Sequence, residues 1–134
     1  HCDIPCGIYS DHPSQMAADT VVKMVEKIQG LAKDDVHSLI RMTMVKEQHA
    51  ELCKRELLIL WTDFFKQEHL EKFPALHDTF WKAAKLCSKN KQEASEDAAR
   101  ELVAAVDEIA KIFYEVKGAP ERYAAYQAIT DKLF

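Results

Sequence analysis

The first nine residues, His1-Cys2-Asp3-Ile4-Pro5-Cys6-Gly7-Ile8-Tyr9, concentrate metal-binding atoms as no other stretch of the chain does. The α-amine of His1 is a nitrogen donor. The backbone nitrogen of Cys2, once deprotonated, is a second and closes a five-membered chelate ring with the amine. The Cys2 thiolate closes a further ring on the same amide. Pro5 favours a turn through residues 3–5, which returns the Cys6 thiolate to the fourth corner. The outcome is a planar set of two nitrogens and two sulfurs, with the His1 imidazole left to bind or leave along the axis. Planar coordination suits Ni(II) or Cu(II), whereas zinc and iron–sulfur sites prefer tetrahedral, sulfur-rich surroundings. Two anionic thiolates and an anionic amide donate charge strongly, so they bring a higher oxidation state such as Ni(III) within reach. The competing reading is a plain Cys2–Cys6 disulfide with no metal chemistry.

Such a hook needs a rigid body to carry it, and the rest of the chain reads as helices. All seven Pro and Gly residues fall at apparent boundaries, and the long stretches between them carry helical periodicity. A first helix is predicted from about Pro13 to Gln29. Its face is Ala17, Val21, Met24 and Ile28, and Gly30 closes it. A second starts near Asp34 and Asp35, which cap it, and runs to about Phe65. Its stripe is Leu39, Met42, Val45, His49, Cys53, Leu57, Leu60 and Phe64. The run Leu57-Leu58-Ile59-Leu60-Trp61 is apolar all round, which implies cover on more than one side. A third helix is expected from Pro74 through Cys87, followed by a basic loop at Lys89-Asn90-Lys91. Ser95 with Glu96 and Asp97 opens a fourth, with Leu102, Val106, Ile109 and Phe113 facing inward. Gly118 ends it, and Pro120 opens a short C-terminal helix with Tyr123, Tyr126, Ile129 and Leu133. An all-α, antiparallel four-helix bundle follows. We expect one domain over 1–134: hook 1–9, bundle 13–117 and extension 118–134.

Composition narrows the function. In 134 residues, 18 Lys and Arg against 22 Asp and Glu leave a net charge of −4, with 48% apolar and 30% charged residues. That balance is an ordinary globular one and argues against nucleic acid as the main partner. No stretch is long and apolar enough for a membrane span. Four Cys are too few for a disulfide-dense scaffold. Cys53 and Cys87 sit in helical patterns and read as buried thiols behaving as small hydrophobes. Because an anion must be drawn to a chain of net negative charge, Lys46, Lys66 and Lys72 are the expected local counterweights.

With these residues in view, a resemblance emerges. The hook resembles that of the nickel-dependent superoxide dismutases, whose pattern is H-C-x-x-P-C-x-x-Y. Val45-Lys46-Glu47-Gln48, Ala50-Glu51-Leu52, Leu60-Trp61-Thr62-Asp63, Phe65-Lys66 and His69 through His77 are similar to the same family. The likeness covers most of residues 1–117. It implies an antioxidant enzyme that turns superoxide into oxygen and hydrogen peroxide by cycling Ni(II)/Ni(III), with one nickel per subunit. It implies His1, Cys2 and Cys6 as ligands, and Asp3 and Tyr9 at the substrate pocket. It also implies a cytoplasmic homohexamer whose leader is removed by a peptidase to expose His1. Tyr9, its waters, and a protonated thiolate or amine are the candidate proton sources. Two positions depart from the family pattern. An Arg is usual where this chain has His49, and a carboxylate where it has Ala17; His49 itself or Asp19 is the nearest replacement beside the axial imidazole. Phe64 stands where some members carry Tyr. The alternative to the enzyme is a non-catalytic nickel- or copper-binding or delivery protein on the same helical scaffold.

Overall fold

A computed structural model describes His1, Ile4 and residues 6–132. Six α-helices follow one another: α1 (His12–Gln29), α2 (Val36–Ile59), α3 (Gln67–Lys72), α4 (Leu76–Gln92), α5 (Glu96–Val116) and α6 (Pro120–Thr130). A π-helical turn, Leu60–Phe64, continues α2. Helices α1, α2, α4 and α5 pack in that cyclic order, each against the next and α5 back against α1. This is the expected four-helix bundle, closed around one core.

Local chemistry sets the helix ends. The Asp35 carboxylate accepts a hydrogen bond from the Ser38 N–H at 3.0 Å. The Ser95 hydroxyl oxygen accepts from the Ala98 N–H at 3.2 Å. Each supplies a partner that the first turn of a helix otherwise lacks. Gly118 adopts φ +69°, the left-handed conformation glycine tolerates best. There the chain turns, with the Ala119 N–H bonded to the Tyr114 carbonyl at 2.9 Å, and α6 begins.

The core is built from Val21 and Val25 of α1, Cys53 and Leu57 of α2, Phe80 and Cys87 of α4, and Leu102, Val106 and Ile109 of α5. Side chains of this size each contribute about 1.5–3 kcal/mol when fully buried. Cys53 and Cys87 are buried and unbridged, as expected. Their thiols face each other across the α2–α4 interface, and this contact, together with burial, pushes the Cys53 thiol up.

Three sequence expectations change. The third helix begins at Leu76, and the short helix α3 precedes it. The stretch at Lys89-Asn90-Lys91 is not a loop but the last turn of α4. Asn90 is buried there, and its amide donates to the carbonyls of Leu86 and Ala98 at 3.0 and 2.8 Å. The α2 stripe also fails at its start. Leu39 is exposed along with Val36, Ile40 and Met44, because the first turns of α2 project an apolar row outward.

Candidate metal centre

The N-terminal segment turns back on itself through local bonds. The Cys6 N–H donates to the Ile4 carbonyl at 2.6 Å. Gly7 then takes φ +73°, a left-handed step that side chains rarely adopt. That step carries the Ile8 carbonyl round to the chain's first residue. The His1 amine donates to it at 3.0 Å, and His1 Nδ1 lies 3.2 Å away. The Ile8 N–H in turn donates to Cys6 Sγ at 3.4 Å.

Three candidate donor atoms therefore converge. Cys6 Sγ is 3.9 Å from the His1 amine and 3.7 Å from His1 Nδ1. Metal bonds of about 2.0 Å to nitrogen and 2.3 Å to sulfur allow two donors on one ion a separation of at most about 4.3 Å. Both pairs lie inside that limit, so the residues present fit a shared metal. His1 and Cys6 are exposed, which leaves the site open to a small anion. Cys2 and Asp3, the other residues assigned to the hook, lie outside the described residues.

Tyr9 anchors the hook to the bundle. It is half-buried, and its ring lies 5.6 Å from that of Phe64. Phe64 in turn packs on Phe113 at 4.7 Å and Phe65 at 4.9 Å, so the hook is seated on an aromatic floor continuous with the core. The π turn makes this possible. The Phe65 N–H bonds to the Leu60 carbonyl at 3.0 Å, five residues back. Phe64 thereby faces Tyr9 while Phe65 is buried against Phe80. Two cavities open beside Tyr9. One, of about 410 Å³, is lined by Gly7, Asp63, Lys66, His69 and Lys117. The other, of about 470 Å³, is lined by Ser10, Lys117, Glu121 and Arg122 among others.

The residues expected near the axial imidazole go elsewhere within this chain. His49 Nδ1 donates to the Val45 carbonyl of its own helix at 2.8 Å. Fifteen residues separate it from Phe64, a helical rise of about 22 Å. Ala17 is fully buried in the core. Asp19 accepts a hydrogen bond from the Tyr126 hydroxyl at 3.3 Å. Burial raises its carboxyl to about 6, an effect the Tyr126 bond opposes.

Of the three expected lysines, only Lys66 borders Tyr9. Lys46 is buried, and its ammonium donates to the carbonyls of Asn90, Lys91 and Glu93 at the end of α4. It satisfies a helix C-terminus, where a cation is favoured, and is not a surface counterweight. Lys72 is paired with Glu115 at 2.7 Å. Lys117 and Arg122, which do border Tyr9, carried no signal in the sequence, since only the fold brings residues so far apart together.

Comparison with known proteins supplies the context. The sequence profile of the family described as nickel-containing superoxide dismutase matches residues 1–117. A protein of Streptomyces seoulensis named superoxide dismutase [Ni] is 40% identical over 119 residues, 89% of each chain. One of the same name from Streptomyces coelicolor is 41% identical over 123 residues, again 89% of each. A native nickel superoxide dismutase structure superposes with a TM-score of 0.83 at 38% identity, covering 89% of this chain and all of its own.

Proposed function

Since the chain belongs to the nickel-containing superoxide dismutase family, and is thereby an oxidoreductase acting on superoxide with nickel as its cofactor, we propose that residues 1–9 are its redox centre. The His1 amine, the Cys2 amide and the thiolates of Cys2 and Cys6 would hold the metal, with the His1 imidazole as a further ligand. The observation that carries this reading is the convergence of the His1 amine and His1 Nδ1 on Cys6 Sγ, each within 4 Å of it. Nickel, when bound, supplies the one-electron Ni(II)/Ni(III) couple. The overall reaction is 2 O₂•⁻ + 2 H⁺ → O₂ + H₂O₂.

The chain's own residues have three tasks in this scheme. Cys6 and the His1 amine give up protons to become ligands and stay open to solvent, so protons exchange readily. The Ile8 carbonyl offers His1 Nδ1 a resting partner at 3.2 Å, so the ring has a defined position when it is not a ligand. Tyr9 closes one side of the approach, and Asp3 is assigned beside it. The two protons consumed per turnover come from the Tyr9 hydroxyl, neighbouring water, or a protonated thiolate or amine.

We further propose a cytoplasmic homohexamer, one nickel per subunit, matured by a leader-removing peptidase that exposes His1. The outward row Val36, Leu39, Ile40 and Met44 on α2 supports burial against another copy. A role for His49 beside an imidazole then falls to the hook of a neighbouring subunit. Among the described residues no helix is long and apolar enough to cross a membrane. We also read 1–134 as one domain, with residues 118–134 an extension of the bundle.

The test compares protein beginning at His1 with protein carrying one additional residue before it. Metal analysis and superoxide decay are measured on both. The expected result is nickel near one per chain with dismutation in the first, and loss of both in the second. Nickel bound without dismutation by the His1 protein would instead support the metal-delivery alternative.

A further inference from the structure

The family match ends at residue 117, yet α6 borders the same tyrosine as the hook. Arg122 lies in the first turn of α6 and, with Tyr9, Lys117 and Glu121, lines the larger of the two cavities. Tyr9 and Lys117 also line the smaller cavity, where Lys66 and Asp63 join them. Lys66, Lys117 and Arg122 against Asp63 and Glu121 give 3 − 2 = +1 among the residues lining the two cavities, on a chain whose net charge is −4. The three cations come from three separate places: the start of α3, the end of α5 and the start of α6. Without Arg122 the same two cavities would sum to zero.

Arg122 is held where it is by bonds further along α6. The Tyr126 hydroxyl donates to Asp19 of α1, and the Gln127 amide donates to Asp107 of α5 at 2.8 Å. The His12 ring meets Tyr126 edge-on at 5.4 Å. These contacts pin α6 across α1 and α5. Lys117 is fixed in another way, its ammonium lying 5.2 Å over the Phe64 ring on which Tyr9 packs.

We propose that Arg122 is a charge-steering residue for superoxide, completing with Lys117 and Lys66 a cationic rim around Tyr9. The substrate is a small anion approaching a negative protein, and in that situation a local positive field raises the encounter rate. Arginine stays charged at every working pH, so the rim persists. The inference rests on the reading of Tyr9 as a residue of the substrate approach.

The experiment measures kcat/KM for superoxide on nickel-loaded protein across ionic strength, for wild type, Arg122→Glu, Arg122→Lys and Glu121→Gln. Nickel content and Tm are checked on each. Lys33→Glu, which changes the net charge equally in the exposed turn before α2, is the control. Charge reversal at Arg122 is expected to lower kcat/KM about threefold at low salt, with the loss vanishing near 0.5 M as screening sets in. Arg122→Lys should retain the wild-type rate, and Glu121→Gln should exceed it. On metal-free protein, azide as a charge mimic should shift the Arg122 Nε and Tyr9 ring resonances, and the Tyr9 shift should shrink in Arg122→Gln. A flat Arg122→Glu series, a loss that persists at high salt, or an equal loss in Lys33→Glu would overturn the proposal. Tyr9→Ala run alongside, normalised to bound nickel, separates the two readings: failure of the Tyr9 assignment shows as an unchanged rate in that variant, failure of the Arg122 assignment as a flat reversal series.

Discussion

Thiols occupy two opposite settings in this molecule. Cys6 is exposed, within 4 Å of an amine and an imidazole nitrogen. Cys53 and Cys87 are fully buried, face each other, and lie among aliphatic and aromatic side chains. Burial and the neighbouring thiol push Cys53 up, which keeps it protonated and therefore a poor nucleophile and a poor ligand. The sequence carries the same residue in both places. Its neighbours decide whether it can serve a metal or only fill volume.

Replacing one atom tests this most severely. Cys6→Ser should lose nickel and about 10³-fold or more in dismutation, equivalent to ~4 kcal/mol of barrier, with little change in the far-UV helix signal. Metal analysis and stopped-flow superoxide decay check it. The same change in the core should do the reverse for function. Cys53→Ser should keep its activity per bound nickel, and its cost should appear in Tm. If Cys53→Ser abolished nickel binding instead, the contrast between the two settings would be wrong.

The core itself can be broken more strongly. Phe80→Ala, at a side chain 1% exposed that packs on Phe65 and stacks on Trp61, should lose about 3 kcal/mol. That corresponds to a fall in Tm of about 10 °C for a domain of this size, read by calorimetry. Cys53→Ser should cost less, about 1–2 kcal/mol, because a hydroxyl still finds the Cys87 thiol as a partner.

Asp19 lies between the extremes, a carboxyl partly withdrawn from water. Burial raises it from the usual 3.8 to about 6, so the folded state binds its proton more tightly than the unfolded chain does. The sign follows: its contribution to stability is greatest below about pH 4 and is lost as the pH rises through 6. Asp19→Asn removes this dependence. Wild type should lose about 2 kcal/mol relative to Asp19→Asn between pH 4 and pH 7, measured as urea midpoints at each pH. Equal slopes for the two proteins would show that Asp19 is ionised in the fold without penalty.

What could be read from residues alone divides along physical lines. The starts of α2 and α5 were legible because Asp35 and Ser95 cap them through bonds only three residues long. The return of Cys6 to His1 was legible for the same reason, the two lying five positions apart. Helix α3 and the π turn were not, since no Pro, Gly or capping signal marks Leu60–Phe64 and packing alone selects that hydrogen-bond pattern. Lys46 looked like a surface charge because its partners lie 44 to 47 residues away. Leu39 fits the inward periodicity of α2, but no neighbouring helix covers that turn. His49 shows a subtler limit. Its place on the stripe was correct in that it is half-buried, yet its ring closes on its own backbone within the subunit.

The π turn also acts as a change of reading frame. In an α-helix each residue advances about 100° around the axis, and a five-residue hydrogen-bonded turn slips in one extra step. Upstream, Leu57 and Leu60 face the core. At its end the chain leaves the helix, Phe65 being extended at φ −73° and ψ 141°, and two consecutive phenylalanines serve two compartments, Phe65 sealing the interior and Phe64 carrying the hook. Deleting any one residue between Leu60 and Phe64 would remove the extra step and move Phe64 to another side of the last turn. The aromatic floor would then rotate from beneath Tyr9, although every side chain that builds the hook would still be present.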